Sequence, residues 1–128
     1  MIKFRAWDKV QKVMMVPRDM YTDSDGNIFY VEAMGPDGEY DEGDLDVFKL
    51  EQFTGLTDVN GKDVYEGDIV KSNYKYSQPK VSQIIMEDGN SYILGEDLAT
   101  GNEMLVSDHI GEIEIVGNVH DNPELLKG

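Results

Sequence analysis

A chain of 128 residues, 40% of them hydrophobic, is long enough for one domain with a true core or for two small subdomains that share one, and it argues against disorder. Its 26 acidic residues against 11 basic ones give a net charge of −15, a field that repels a phosphate backbone and disfavours nucleic acid as a partner. The absence of cysteine excludes a disulfide framework, a thiolate nucleophile and a cysteine-based metal site.

No apolar run approaches the ~20 residues of a membrane-spanning helix. The opening MIKFRAWDKVQK alternates charged and apolar residues and lacks the hydrophobic stretch of a signal peptide, so a cytoplasmic protein with no membrane partner is expected. The charge is uneven. Residues 1–18 hold five basic residues against Asp8 alone, whereas residues 19–68 hold fifteen acids against Lys49 and Lys62. Residues 69–80 carry Lys71, Lys75 and Lys80 without an acid, and residues 81–128 hold ten acids against Lys127. The simple reading is a basic N-terminal strand beside acidic loops of its own fold. The sharper one is an acidic face that docks a basic partner.

In chain order, Ile2, Phe4 and Ala6 alternate with Lys3, Arg5 and Trp7, the period of a strand with one face toward a core. Val13 to Val16 is a second apolar run that Pro17 should stop. The cluster Asp23-Ser24-Asp25-Gly26-Asn27 followed by Ile28-Phe29-Tyr30-Val31 predicts a hairpin. Residues 34–46, MGPDGEYDEGDLD, read as a mobile loop, because three glycines, a proline and six acids cannot bury a face. Val47 to Leu50 suits either a strand or a helical turn. Asn60-Gly61 marks a tight turn, and Gly67-Asp68 opens a strand that runs from Ile69 to Tyr76. Val81–Met86, the Asp88-Gly89 turn and Ser91–Leu94 form the clearest hairpin. Thr100-Gly101-Asn102 is another turn, leading to Met104-Leu105-Val106. Ile113, Ile115 and Gly117 alternate with Glu112, Glu114 and Val116 as a half-buried strand. Asn122-Pro123-Glu124 has the form of a helix start, with room for about one turn.

Several constellations imitate chemistry. Residues 21–32, YTDSDGNIFYVE, match part of a calcium-binding EF-hand loop, with Asp23, Asp25, Gly26, Ile28 and Glu32 in place. Tyr21 stands where the first carboxylate should be, and Pro17 and Ile28–Val31 oppose the flanking helices, so a plain hairpin is expected. Asp41, Glu42, Asp44 and Asp46, or Glu66 with Asp68, could bind magnesium or manganese. The first group sits in a glycine-broken stretch, and Asp68 better suits backbone N–H groups at the entry to its strand. Ser107, Asp108 and His109 are sequence neighbours whose side chains point apart, which forbids a catalytic relay, and His120 beside Asp121 adds no nucleophile. Neither a Gly-x-Ser-x-Gly elbow nor a phosphate-cradling loop is present. The expectation is therefore no catalytic residue, no cofactor and no metal. Residues 71–80, KSNYKYSQPK, have a nucleic-acid character: Tyr74 and Tyr76 could stack bases, and Lys71, Lys75 and Lys80 could meet phosphates. A lysine-protected sheet edge explains them as well.

Three blocks, MIKFRAWD, QFTGLTDVNGKDVYEGDIV and IVGNVHDNPELL, stand in the order and near the spacing seen in the YopX family, small proteins encoded by bacteriophages and prophages. The chain resembles that family over nearly its whole length, least in 34–46 and 71–107. The resemblance implies a β-rich fold and supplies no catalytic residues. The positions it carries over are Phe4, Arg5, Trp7 and Asp8 at the start, Phe53 to Leu56, Asp58, Gly61 and Tyr65 to Ile69 in the centre, and Gly117, Asn118 and Asn122 to Glu124 at the end. Most suit a turn or a core. Trp7, opposite Phe4 by alternation, suits a second packed face or a subunit contact.

The expected fold is mainly β: an SH3-like barrel from about Phe53 to Asn118, an N-terminal β-hairpin layer and a very short C-terminal helix. The chain reads as a single domain, 1–128, with possible subdomains at 1–46 and 47–128. The expected role is non-enzymatic: an accessory protein that binds a host or phage protein or assembles with itself. A nucleic-acid-binding barrel and a metal-dependent enzyme are the alternatives.

Overall fold

The computed structural model describes residues 3–72, 80–94, 103–108 and 110–127. The chain is mainly β. Its strands are β1 (Phe4–Asp8), β2 (Val13–Thr22), β3 (Ile28–Met34), β4 (Tyr40–Asp44), β5 (Phe48–Thr57), β6 (Asp63–Tyr65), β7 (Asp68–Ser72), β8 (Lys80–Glu87), β9 (Asn90–Leu94), β10 (Glu103–Leu105) and β11 (Ile113–Asn118). Two 3-10 helices, Val106–Asp108 and Pro123–Lys127, complete the elements. Among the described residues no helix is long and apolar enough to cross a membrane. The chain divides into two compact units, Met1–Gln52 and Phe53–Gly128.

In the first unit the antiparallel strand order is β4-β3-β2-β1-β5. Alternation brings Ala6, Met15, Val31, Ala33 and Phe48 to one face, with Val13, Ile28, Val47 and Leu50 at its margin. Burying a side chain the size of Phe48 contributes roughly 1.5–3 kcal/mol. Trp7 lies on the opposite face of β1 and is only 6% exposed, so it packs a second face within the chain. Arg5 pairs with the buried Glu51 (Nε to Oε1, 3.0 Å) across the β1–β5 register.

Two sequence expectations fail here for physical reasons. Pro17 does not stop β2. The pairing of β1 with β2 runs only from Val13 to Met15, so the missing N–H of Pro17 interrupts no bond to β1. A bulge between Pro17 and Asp19 absorbs the irregularity on the β3 side. Nor is 34–46 a loop throughout. A tight turn from Gly35 to Glu39, closed by Gly35 N–H to Glu39 O at 2.8 Å, returns the chain as β4. Gly43 looks like a strand breaker, yet a Cβ there would sit 3.0 Å from Val47 Cβ, so the glycine lets the returning chain pack. Val47 to Leu50 leads into a strand, not a helical turn.

In the second unit the last residues of β5 pair with β6, Phe53 opposite Tyr65 and Thr57 opposite Asp63. The remaining strands form an antiparallel sheet of order β10-β9-β8-β7-β11. That order is open. β10 and β11 stand at its two ends, and the described strands close no barrel, so the SH3-like barrel expected from the spacing is not formed as a closed one. Strand spacing reports how many strands there are, but it does not report whether the first and last of them pair. The core is Val64, Val70, Ile84, Ile93, Val106 and Ile113. The Asp88-Gly89 turn joins β8 to β9 with φ of 52° and 83°, the primed hairpin geometry its sequence predicts.

The central motif shows why its residues stand as they do. Asp58 Oδ1 accepts the N–H of Asn60 and of Lys62, each at 2.9 Å, which builds the Asn60-Gly61 turn. Gly61 and Gly67 have φ of 78° and 87°, where a side chain would be strained. Asp68 Oδ2 accepts Tyr65 N–H at 2.8 Å, the backbone role its position predicts. At the C-terminus Asn122 does not cap the short helix with its side chain. Its carboxamide oxygen accepts Asn118 N–H at 3.3 Å, and Asn118 Oδ1 in turn accepts the N–H of His120 and of Asp121.

Candidate protein-docking face

The first unit exposes the face of β2–β4 that its core does not use. On β3, Val31 and Ala33 point to the core, so Tyr30, Glu32 and Met34 point away from it. The registers place their neighbours directly. Tyr30 lies opposite Tyr21 and Asp44, Glu32 opposite Asp19 and Glu42, and Met34 opposite Val16 and Tyr40. The result is three rows across three strands, with Asp19, Glu32 and Glu42 in the middle.

Like charges directly opposed on a sheet are destabilising. No ion pair among the described residues relieves Asp19, Glu32 or Glu42. The protein supplies phenols instead. Tyr21 donates its hydroxyl to Glu32 Oε1 at 3.2 Å, and the Tyr21 and Tyr30 rings meet at 5.9 Å with a 58° tilt. The charge of Glu32, and then the hydrogen bond to it, raise the Tyr21 phenol above its ordinary value of 10.0. Desolvation raises Tyr30, helped by the charge of Glu42 and the bond to it. Both hydroxyls therefore stay protonated as donors at neutral pH. Arg18 on β2 touches the face, its Nη2 donating to Met34 Sδ at 3.8 Å.

Two hollows adjoin the start of β4, one of them lined by core-side residues of β2. One, of about 430 Å³, is lined by Glu32, Tyr40, Asp41 and Glu42. The other is a cleft of about 230 Å³ whose lining includes Val13, Met15, Asp37, Glu39, Tyr40 and Asp41. Gln11 closes part of it, its Nε2 donating to Asp41 Oδ2 at 2.6 Å. Asp41 Oδ1 accepts Glu42 N–H at 2.9 Å, which occupies a backbone donor in the middle of the end strand. That donor is then closed to an incoming strand, so the face suits side-chain docking better than strand addition.

The sequence candidates fall elsewhere. Asp23 of the EF-hand-like stretch holds the β2–β3 turn, accepting the N–H of Asp25 at 2.9 Å and of Asn27 at 3.0 Å. Asp41, Glu42 and Asp44 lie on β4, with Asp46 in the turn after it. Among the described residues no three histidine or carboxylate side chains converge in a way that could hold a metal. Lys71 is exposed on β7, whereas Tyr74, Lys75 and Tyr76 lie outside the described residues, as does His109. Sequence reasoning missed the Tyr21, Tyr30, Glu32 and Glu42 grouping. The available signal was the period-2 spacing of Tyr40, Glu42 and Asp44, which becomes readable once 40–44 is taken as a strand.

The model of the YopX protein family matches residues 3–127. The chain belongs to the YopX family. The fold is shared with solved YopX-type structures. The crystal structure of protein EF1440 from Enterococcus faecalis superposes with a TM-score of 0.67 at 26% identity, covering 98% of both chains. That of protein yopX from Bacillus subtilis gives 0.65 at 23% identity, covering 98% of this chain and 95% of the other. No curated protein matches the chain. The YopX likeness thus carries the fold and brings no chemistry with it, so the functional reading rests on the face.

Proposed function

We propose that this YopX protein is a non-enzymatic accessory protein of a bacteriophage or prophage that docks a positively charged protein through the outer face of β2–β4. The observation that carries this reading is the row Asp19, Glu32 and Glu42, three carboxylates in direct cross-strand register with no ion pair to them among the described residues. A fold that holds such a row bears its repulsion when alone and loses that repulsion when an external cation arrives. The flanking Tyr21 and Tyr40, both exposed, supply the aromatic surface that interfaces favour. Self-assembly through the same face is opposed, since it would set carboxylates against carboxylates.

The test is affinity capture from the host cell at low and moderate salt, with the wild-type chain and a Glu32→Gln/Glu42→Gln variant side by side. A basic protein retained by the wild type, released by salt and lost in the variant supports the reading. No retained protein at low salt, or a partner that ignores the variant, overturns it.

A further inference from the structure

The row on the sheet attracts cations without choosing among them, but the cleft beside it has a shape that chooses. Its floor is apolar, from Val13 and Met15, and its rim carries Asp37, Glu39 and Asp41 with no lysine or arginine among the lining residues. Tyr40 is 69% exposed and lines both the cleft, whose Val13 and Met15 belong to the core side of β2, and the acidic hollow with Glu32 and Glu42, so it borders both. We propose that the cleft is an anchor site for a single arginine side chain of the partner. This rests on the docking reading above and adds a specificity to it.

The chemistry favours arginine over other basic groups. The methylene stem of an arginine would lie on Val13 and Met15. Its guanidinium has five donors in a plane, which suits several carboxylates at once, and it stacks on aromatic rings better than an ammonium does. The available acceptors are not equivalent. Asp41 already holds Gln11 Nε2 and Glu42 N–H, and Asp37 Oδ1 holds Glu39 N–H at 3.2 Å. No described interaction engages the Glu39 side chain, which makes it the freest acceptor on the rim. The volume of about 230 Å³ leaves room for one long side chain and not for a folded segment.

The experiment is an NMR titration of the full chain with N-acetyl-arginine methylamide, its lysine counterpart, and the neutral isostere N-acetyl-citrulline methylamide. A lysine-rich peptide serves as a separate probe of the outer face. Expected are shifts of the Met15 methyl and Tyr40 ring signals with the arginine compound, smaller ones with lysine and none with citrulline. Glu39→Gln and Tyr40→Ala should each weaken the arginine response at least threefold, while the amide spectrum elsewhere reports an intact fold. Equal response to citrulline would overturn the proposal, because the cleft would then not be reading charge. If the peptide shifts β2–β4 signals but the arginine compound leaves Met15 and Tyr40 unmoved, the anchor is wrong and the docking reading stands. If neither probe produces a shift, both fail.

Discussion

Glu32 and Glu42 face each other directly across β3 and β4, in register on an exposed sheet face. Such a pair works against the fold by roughly 0.2–1 kcal/mol. Replacing one of them with glutamine should therefore raise the stability of the isolated protein by about that amount, read as a higher urea midpoint. The gain should shrink at high salt, where the repulsion is already screened. The same substitution should weaken capture of the basic partner. A substitution that stabilises the free protein and harms its binding would separate a functional carboxylate pair from a solubilising one.

Raised tyrosines give the face a spectroscopic signature. The Tyr21 and Tyr30 phenols ionise above the ordinary value of 10.0. Because the folded value lies above the unfolded one, their contribution to stability is complete below about pH 10 and is lost as pH rises through the folded value. An ultraviolet titration of tyrosinate should show Tyr21 and Tyr30 ionising late. Glu32→Gln should move Tyr21 back toward the ordinary value, since the charge of Glu32 is the largest cause of its shift. A titration curve unchanged by Glu32→Gln would refute the coupling.

What the sequence discloses is local. The Asn60-Gly61 and Asp88-Gly89 turns, the role of Asp68 and the short C-terminal turn at Pro123 are decided by neighbours within a few residues, so they are legible without the fold. The continuation of β2 through Pro17 depends on where β1 stops pairing, and the existence of β4 depends on β3 lying beside it. Those are partner-dependent facts that propensity misreads, because β-propensity mostly reports packing against neighbours. The proposed docking face is illegible in the sequence for the same reason. Tyr21, Glu32 and Glu42 are spread over two turns of chain and meet only in register.

Asp58 should set the acid limit of the second unit. Its Oδ1 holds the turn through Asn60 and Lys62, and its Oδ2 accepts Ile115 N–H at 2.9 Å, 57 positions along the chain. Burial alone would raise this carboxyl, but the N–H groups of Ile115, Lys62 and Asn60 outweigh it and hold it below the ordinary value of 3.8. With the folded value depressed, the stabilisation is complete above the unfolded value and is lost as pH falls through the folded one. Asp58→Ala leaves Ile115 N–H without its acceptor and should cost roughly 1–3 kcal/mol at neutral pH. Melting midpoints between pH 7 and pH 2 should fall less steeply in Asp58→Asn than in the wild type, and parallel curves would refute the assignment.

Gly117 and Asn122 should behave as a coupled pair. A Cβ at Gly117 would lie 2.5 Å from Asn122 Oδ1 and 2.9 Å from Asn122 Cβ, closer than side chains tolerate. Asn122 holds that place because its oxygen accepts Asn118 N–H, where β11 ends and the C-terminal turn begins. Gly117→Ala must therefore push Asn122 away, losing this bond and straining the bulge between Ile115 and Gly117, at a cost of roughly 1–3 kcal/mol. Asn122→Ala alone should cost roughly 0.5–1.5 kcal/mol for the lost hydrogen bond. In the double variant the clash with Oδ1 and Cγ is gone, although Cβ remains, so the combined loss should be smaller than the two single losses together. Urea unfolding of the four proteins closes this cycle. Strictly additive losses would mean that the glycine serves its own backbone alone and that its closeness to Asn122 has no energetic consequence.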